Sequence, residues 1–271
     1  MCFLHIEFIF SWVFGGGITN RLGEININTY GTKMKIVAYR SCNDIDVEFL
    51  DEYHYIKKHN NYHNFKVGAI KNPYDKWVYG VGAIGDGRFK VKIETNGDYT
   101  PEYTAWVNML KRCYYQKKNA LNSAYLDRCT VCEEWLNFQN FALWFEKHKY
   151  DVDERLHVDK DISNPCNAIY SPKTCLLTPQ KINMLFMNKP NKRGLPNGII
   201  KYPSGYLAKY NHKDLGIYNT IEEAYKVYAK EKKDEIVKVA NEYKDIIPNE
   251  LYEALLNYEF LIINDKNYKV A

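Results

Sequence analysis

Two segments near the start of the chain alternate apolar and polar residues in the way that β-strands do. Residues 35–39 and 44–49 place apolar side chains at alternate positions or in short runs, with turn residues between the two segments. Residues 89–93 repeat the alternation after a glycine-rich stretch. Because successive side chains of a strand point to opposite faces, this pattern predicts a small β-rich module in residues 34–95.

The apolar spacing becomes helical after residue 100. In residues 103–114 and 133–147, large apolar side chains recur every three or four positions, which predicts two amphipathic helices. Residues 156–162 and 175–177 then indicate two short strands, and residues 179–187 indicate a helix directly after the second strand. We therefore expect a strand, a loop, a strand and a helix in that order.

A third region follows a linker at residues 189–198. Thr220 and Glu223 have the spacing of a capping box, which predicts a long helix ending near residue 244. A last helix is predicted at residues 251–263. Short strands are predicted before these helices at residues 199–202, 206–210 and 215–218.

Length and composition limit the classes of protein to consider. A chain of 271 residues has room for roughly two domains of about 150 residues each. With 46% hydrophobic and 26% charged residues, the composition excludes a disordered chain, a collagen-like fibre and a multi-pass membrane protein. Seven cysteines, an odd number, favour a reduced cytoplasmic protein over a disulfide scaffold.

The first 18 residues are strongly apolar and end just after three glycines. They carry Glu7, lack a basic start and are too short to span a bilayer, so we expect no membrane insertion. A buried strand and an upstream extension remain as interpretations, since Met34 can initiate the rest of the chain. Residues 1–33 are therefore treated as an N-terminal extension without an assigned role.

Two motifs match the spacing of known binding sites, but neither is good evidence for such a site in this chain. The run Gly80-Val-Gly-Ala-Ile-Gly85 matches a dinucleotide-binding fingerprint, but that motif needs a helix immediately after the glycines. The residues that follow alternate like a strand, so we interpret the glycines as a turn or bulge. Cys129 and Cys132 form a CxxC pair that Cys166 and Cys175 can complete as a zinc site. The second pair is separated too widely for such a site, so buried cysteines are the favoured interpretation.

Positive charge is concentrated in two windows that contain no Asp or Glu. Residues 105–126 carry four Lys or Arg, and residues 189–213 carry six, although the whole chain has a net charge of only +4. A phosphate backbone attracts such windows, because each cation releases counterions and an acid would repel it. The candidate DNA-binding residues are Lys111, Arg112, Lys117, Lys118, Lys192, Arg193, Lys201, Tyr206, Lys209, Tyr210 and Lys213. The alternative is that these windows are solvated loops of a lysine-rich chain.

The most informative polar residues lie in the predicted strand–loop–strand–helix segment. Asp159 is on the first strand and Asn183 is on the helix, and a hard divalent ion binds such oxygen donors. His157, Asp159 and Asp161 share one strand face, while Lys160 points the other way. The alternative is that these residues are ordinary surface polar groups.

Here the sequence resembles the HNH endonucleases of phages and mobile elements, including homing nickases. It resembles most closely the branch in which an Apetala-type DNA-binding domain follows the nuclease core. The resemblance covers about residues 100 to 245, with gaps. The nuclease-like motifs are Trp106-Val-Asn-Met-Leu-Lys-Arg-Cys-Tyr114, Val131-Cys-Glu-Glu-Trp135, Val158-Asp-Lys-Asp-Ile162, Tyr170-Ser-Pro-Lys-Thr-Cys175 and Gln180-Lys-Ile-Asn183. The Apetala-like motifs are Leu195-Pro-Asn-Gly-Ile199, Tyr206-Leu-Ala-Lys-Tyr210, Leu215-Gly-Ile-Tyr218 and Thr220-Ile-Glu-Glu-Ala224.

The resemblance implies a ββα-metal nuclease that uses one Mg²⁺ or Mn²⁺ ion. It places Asp159 and Asn183 as metal ligands and Asn167 as the residue that orients the base. The base of the family is a histidine, whereas this chain has Lys160 at that position. Because a lysine is ordinarily protonated at neutral pH, it cannot abstract a proton from water. Lys160 can instead stabilise charge on the phosphate, with His157 as the base.

These observations predict an α+β multidomain protein. The expected parts are residues 1–33, a β-rich module at 34–95, an HNH-like ββα-metal domain at 96–188 and an Apetala-type domain with C-terminal helices at 189–271. The expected partner is double-stranded DNA, bound in a bacterial cytoplasm, and the expected activity is phosphodiester hydrolysis. Two alternatives remain: a DNA-binding protein without catalysis that regulates or inhibits a host system, and a protein-interaction module whose basic windows are incidental.

Overall fold

The computed structural model describes residues 21–115, 129–189 and 191–268. The chain divides after Asn72 into two compact units, and each is described by itself. The secondary structure is mixed α/β, with helices and several small sheets. In the described ranges, no helix combines the length and the apolar character needed to cross a membrane. The predicted apolar segment at residues 1–18 lies outside the described residues.

The first unit is built around one antiparallel sheet and a short helix. Strand β3 buries every second residue, Ile45, Val47 and Phe49, against the helix residue Phe65. This alternation confirms the two strands predicted at residues 35–39 and 44–49. The sheet has the order β1-β2-β3-β4. The elements are β1 (Ile25–Ile27), β2 (Lys33–Ser41), β3 (Asp44–Phe49), β4 (Ile56–Asn60) and α1 (Tyr62–Lys66).

The second unit contains the remaining described elements. Its first part holds α2 (Pro101–Tyr114), β5 (Thr130–Val131), a 3₁₀ helix (Glu133–Leu136), α3 (Phe138–His148), β6 (Leu156–Asp159), β7 (Ile169–Tyr170), β8 (Leu176–Pro179) and α4 (Gln180–Leu185). Its second part holds β9 (Ile199–Tyr202), β10 (Gly205–Tyr210), β11 (Lys213–Tyr218), α5 (Ile221–Glu242), α6 (Asn249–Asn257) and a 3₁₀ helix (Ile262–Asn264). The helix predicted at residues 103–114 is therefore confirmed.

Helix α2 packs on α3 through large aromatic side chains. Thr100 caps α2 by accepting a hydrogen bond from the N–H of Tyr103, and proline occupies the first helical position. The indole of Trp106 is fully buried and donates a 2.7 Å hydrogen bond to the carbonyl of Trp135. This core holds α2 and the nearby strand β6 in one rigid layer.

Several predicted elements differ in the structure. The helix predicted at residues 251–263 ends at Asn257 as α6, and a separate 3₁₀ helix follows at Ile262–Asn264. Residues 89–93 are not a strand: the side chain of Gln139 bonds the N–H and carbonyl of Phe89, and Lys92 forms an isolated antiparallel bridge with Tyr99. The helix predicted at residues 133–147 is interrupted at Asn137, whose side chain accepts from the N–H of Gln139 and caps α3. No helix follows Gly85 directly, so the glycine run lacks the helix that a dinucleotide-binding motif needs.

Strand β6 pairs antiparallel with β8, and β8 leads directly into α4. The register joins Leu156 to Pro179 and Asp159 to Leu176. Strand β7, which lies between them in sequence, pairs instead with β5 in parallel. The segment thus has the predicted order of strand, loop, strand and helix, with Asp159 at the end of β6.

The three-stranded sheet has the order β11-β10-β9, and α5 packs on one side of it. Thr220 and Glu223 form the predicted capping box at the start of α5. The N-terminal half of α5 covers the sheet with Tyr225 and Tyr228. Its C-terminal half packs with Ile182 of α4 and with α6. Helix α5 therefore contributes to two separate apolar clusters, one with the sheet and one with α4 and α6.

Candidate functional site

Asp159 anchors the turn that follows β6. Its Oδ1 accepts 2.8 Å hydrogen bonds from the N–H groups of Asp161 and Ile162. Burial is the largest influence on this carboxyl and raises its pKa, although the two N–H groups oppose that shift. One oxygen of the predicted metal ligand is therefore committed to the backbone of its own loop.

Lys160 lies inside the protein with 8% of its surface exposed. Its Nζ donates to Oδ1 of Asp161 at 2.6 Å and to the carbonyl of Asn167, and lies 5.8 Å from the centre of the Tyr170 ring. A buried ammonium group is stable only when oxygen atoms replace the water it has lost. These contacts make Lys160 a fixed donor within the loop.

Asn167 uses its amide on the same loop. Its Nδ2 donates to the carbonyls of Lys160 (3.3 Å) and Ile169 (2.7 Å), and its Oδ1 accepts from the N–H of Ile169 at 3.0 Å. The predicted role of Asn167 was to orient a catalytic base. In the structure, these three hydrogen bonds all go to the backbone, so the side chain of Asn167 shapes the loop between Lys160 and β7.

The two residues predicted to bind a divalent ion lie on β6 and α4. Asn183 is half-buried on α4. In the described parts of the chain, Asp159 belongs to no group of three His, Cys, Asp or Glu ligand atoms within 4.8 Å of one another. A small divalent ion needs several oxygen ligands. Asp159 has one oxygen bonded to the loop backbone already, and metal binding by Asp159 and Asn183 stays a prediction.

The described residues contain one group of three ligand atoms, in the first unit: Asp44, Asp46 and His59. The guanidinium of Arg40 contacts both carboxylates, at 2.7 Å for Asp44. Hydrogen bonding to Arg40 is the main reason that the pKa of Asp44 falls to about 2. An arginine already compensates the negative charge, and the group is therefore an exposed ion-pair network.

The four cysteines considered for zinc do not meet. In the described ranges, none of Cys129, Cys132, Cys166 and Cys175 belongs to a metal-sized group of ligand atoms. The Sγ of Cys129 lies 3.1 Å from the Sγ of Cys113 instead. Burial raises the pKa of Cys175 to about 12, whereas Cys166 is exposed. The structure thus supports the interpretation of buried cysteines for Cys129 and Cys175.

His157 is the predicted catalytic residue that is least engaged by the loop. It is half-buried on β6, and its Nε2 has no hydrogen-bond partner among the described residues. Burial is the main cause that lowers the imidazole pKa, and the positive charges of Arg112 and Arg155 act in the same direction. The side chain of Gln180, the first residue of α4, opposes this shift and raises the imidazole pKa. Alternation along β6 places His157 on the same strand face as Asp159.

A cleft of about 550 Å³ opens beside His157. One face of α2 and strand β6 form its walls, together with the end of α3 and the turn before Thr100. Its charged side chains come from four separate parts of the chain: Asp98, Arg112, Lys149, Glu154 and Arg155. Of these, only Arg112 was selected from the sequence, because convergence of distant segments leaves no local signal.

The predicted DNA-binding cations have mixed surroundings. Lys111, Lys192, Arg193 and Lys201 are exposed, and Lys201 lies 3.9 Å over the ring of Tyr206. Lys209 pairs with Asp214 at 2.9 Å, and Lys213 pairs with Glu231 at 2.8 Å. Arg112 lies at the cleft, with Nη1 3.5 Å from the hydroxyl of Tyr170. Lys117 and Lys118 lie outside the described residues.

Tyr206 and Tyr210 were expected to contact DNA, but they face the helix. Both pack against the cluster formed by the sheet and α5, and the ring of Tyr210 lies 5.8 Å from that of Tyr228. Because side chains alternate along β10, the opposite face carries Leu207 and Lys209. Both tyrosines are partly buried, so their contact with DNA stays a prediction in which the helix-facing sides of the rings are already covered.

No family model, curated protein or solved structure matches this chain. The geometry and the sequence therefore carry the functional argument together.

Proposed function

We propose that the protein binds double-stranded DNA and that its HNH-like segment serves as a binding scaffold without nuclease activity. The observation that carries this proposal is the environment of Lys160. At the position where the resembled family has a catalytic histidine, the chain has an ammonium group buried between Asp161 and the Asn167 carbonyl. Such a group donates hydrogen bonds and cannot activate water.

The order of elements supports a relationship to the resembled family. Strands β6 and β8 form an antiparallel pair that leads into α4, which is the order expected of a ββα core. The three strands β9–β11 followed by α5 have the order expected of an Apetala-type domain. Both orders agree with the motifs in the sequence, and a β-sheet of this type can enter the major groove.

The exposed cations of the sheet region supply the attraction to DNA. Lys192, Arg193 and Lys201 are exposed within a window that contains no acid. Lys209 and Lys213 pair with acids beyond that window, but exposed pairs of this kind contribute only about 0 to 1 kcal/mol. A phosphate group can therefore replace Asp214 or Glu231 as their partner at small cost.

The test is the salt dependence of DNA affinity. We expect the logarithm of the binding constant to fall linearly with the logarithm of salt concentration, and Lys201→Gln to reduce the slope by about 1. The matched control is Lys238→Gln, another exposed lysine, on α5 and 3.9 Å from Glu235. A slope near zero for the wild type would contradict DNA binding through phosphate contacts and favour the protein-interaction module.

A second candidate function is a metal-dependent DNA nickase with His157 as the proton acceptor. The specific observation in its favour is that Nε2 of His157 is unpartnered in the described structure, on the strand face that also carries Asp159. This candidate needs a divalent ion, and one oxygen of the proposed ligand Asp159 is already bonded to the backbone of its own loop. It therefore ranks below the binding scaffold.

Nicking of supercoiled plasmid in Mg²⁺ or Mn²⁺ separates the two candidates. The scaffold proposal expects no nicking by the wild type, and a gain of activity in Lys160→His would identify a decayed nuclease. Nicking by the wild type that is lost in Asp159→Ala, Asn183→Ala and His157→Ala would replace the scaffold with the nickase. Equal nicking by the wild type and these variants would point to a contaminating enzyme and give the nickase no support.

A further inference from the structure

The cleft beside His157 has the size and composition of a site for a small organic molecule. Its volume of about 550 Å³ lies within the range of about 300 to 1,000 Å³ that is usual for ligand pockets. All its lining residues belong to the second unit, between Ile93 and Val158. Neither the loop at residues 159–167 nor the DNA-binding sheet contributes to it, so the proposed function leaves this cleft without a role.

The walls of the cleft are largely apolar and well supported. Met109 and Phe145 come from α2 and α3, and both are at least 96% buried. Leu156 and Val158 of β6 complete this surface and belong to the same aromatic core. Rigid walls of this kind accept a flat apolar body and favour it over a hydrated ion.

An exposed aromatic ring stands at the edge of the cleft. Tyr99 is 58% exposed, and its ring centre lies 5.1 Å from that of Tyr103. Tyr103 is itself in edge contact with the buried Phe138 at 5.4 Å, so the stack holds Tyr99 in place. An anchored, exposed ring is a stacking surface for a nucleobase.

Three cations line the same cleft, and its acids are partly engaged elsewhere. Arg112 is half-buried, while Lys149 and Arg155 are exposed. Of the acids, Glu154 accepts from the N–H of Lys181 at 2.8 Å and from the hydroxyl of Tyr243. Guanidinium groups match the geometry of phosphate oxygens, so the cleft can take one phosphate group next to its apolar walls.

His157 is also one of the residues that line the cleft. Its Nε2 is closed off from solvent and has no hydrogen-bond partner in the described residues. Because surrounding atoms cover that nitrogen, it is not a contact for a ligand in the cleft. Tyr99, the apolar walls and the three cations are the groups that a ligand meets.

We propose that this cleft binds a nucleoside monophosphate, with the base against Tyr99 and the apolar walls and the phosphate near Arg112, Lys149 and Arg155. Such a nucleotide can be free in solution or can be a single nucleotide extruded from a DNA strand. The proposal goes beyond the proposed function, because the binding of free nucleotide is measured without DNA.

The test is calorimetric titration of the full chain with AMP and dTMP, alongside adenosine and inorganic phosphate. We expect both nucleotides to bind at least about tenfold more tightly than adenosine or phosphate, because only they use both the cations and the apolar walls. If inorganic phosphate binds as tightly as AMP, the apolar walls do not bind the base, and the proposal is wrong on that point. Absence of nucleotide binding at millimolar concentration would overturn the whole proposal.

Matched variants locate the site. Lys149→Gln and Arg155→Gln should each weaken nucleotide binding about tenfold, because each removes a charge-assisted contact. Lys147→Gln, an exposed lysine in the last turn of α3 that does not line the cleft, should leave it unchanged. Tyr99→Leu should weaken AMP more than phosphate, with Tyr202→Leu as the control for an exposed tyrosine. If the control variants lose as much nucleotide affinity as the cleft variants, the nucleotide does not bind in this cleft.

Competition with DNA then identifies the source of the nucleotide. A duplex with one unpaired nucleotide that displaces AMP, beside a fully paired duplex that does not, would assign the cleft to an extruded nucleotide. If neither duplex displaces AMP, the ligand is a free nucleotide. Both results support the cleft as a nucleotide site, and neither depends on the salt slope that tests DNA binding by the sheet.

Discussion

Two lysines are buried to nearly the same extent, but different kinds of atoms surround their ammonium groups. Lys160 is 8% exposed in the loop after β6, and Lys232 is 7% exposed on α5. Lys160 meets two oxygen atoms, from Asp161 and from the Asn167 carbonyl. Lys232 instead lies over aromatic rings, 4.6 Å from the centre of Phe260. Burial alone therefore does not decide what an ammonium group costs, because the atoms that replace its water matter as much.

The region around Lys232 joins the linker to the C-terminal residues. Asp265 accepts a 3.1 Å hydrogen bond from the N–H of Asn197, and Asn267 accepts one of 2.7 Å from the N–H of Asn191. These polar groups satisfy the linker backbone and leave Lys232 with rings and a distant carboxylate. The contrast between the two regions explains why Lys160 is a fixed hydrogen-bond donor, whereas the protonation state of Lys232 responds to pH.

The largest expected effect is a pH-dependent stability that comes from Lys232. Burial lowers its pKa from the ordinary 10.5 to about 8, with Asp265 opposing the shift. Between these values the unfolded chain binds the proton that the folded protein has released, so stability rises with pH. Compared with Lys232→Met, the wild type should gain about 3 kcal/mol in free energy of unfolding from pH 7 to pH 11.

Urea unfolding of both proteins at several pH values measures this difference. Lys230→Met, at an exposed position on the same helix, controls for the loss of a positive charge and for the introduced methionine. If the difference in unfolding free energy between the wild type and Lys232→Met stays constant across this pH range, the aromatic surroundings do not lower the pKa of Lys232.

The second effect is the loss of the turn that Asp159 anchors. Asp159→Ala leaves the N–H groups of Asp161 and Ile162 without their acceptor, which should cost about 2 kcal/mol of unfolding free energy. Asp159→Asn keeps an oxygen acceptor and should cost less than half as much. Chemical denaturation at pH 7 measures both. Equal losses would show that the charge of Asp159, rather than its acceptor geometry, holds the loop.

The smallest effect concerns the ion pair of the same loop. The side chain of Asp161 is 39% exposed, so solvent screens its contact with Lys160. Asp161→Asn should therefore cost less than about 1 kcal/mol, because an amide oxygen and the Asn167 carbonyl still face the ammonium group. A loss above 2 kcal/mol in thermal or urea unfolding would mean that Lys160 depends on one charged partner.

Much of the secondary structure could be predicted because its cause is local. The alternation of Ile45, Val47 and Phe49 and the capping box of Thr220 and Glu223 lie within a few residues of sequence. The strand predicted at residues 89–93 was wrong: Gln139, some 50 residues away, bonds both backbone groups of Phe89, and Lys92 pairs with Tyr99 in an isolated bridge. Local periodicity does not record such a long-range partner.

The candidate functional sites depend even more than the secondary structure on partners that lie far apart in the sequence. The sequence singled out Asp159, Lys160 and Asn167 for a catalytic site, and that role stays a prediction. Only the structure shows that their side chains bond to the backbone of the same loop. The sequence also selected Tyr206 and Tyr210 for DNA, and strand alternation against α5 turns both toward the core. Residue type indicates which chemistry is available, whereas packing determines which groups remain accessible.

By itself, the sequence determined the order of β6, β8 and α4, the order of β9, β10, β11 and α5, the two acid-free basic windows and the unusual lysine at position 160. Only the tertiary structure decided that the loop after β6 satisfies its own polar groups and that Tyr99, Lys149 and Arg155 surround a cleft beside His157. The physical reason is that caps and periodicity act over a few residues, while a site is made by distances between segments far apart in the chain.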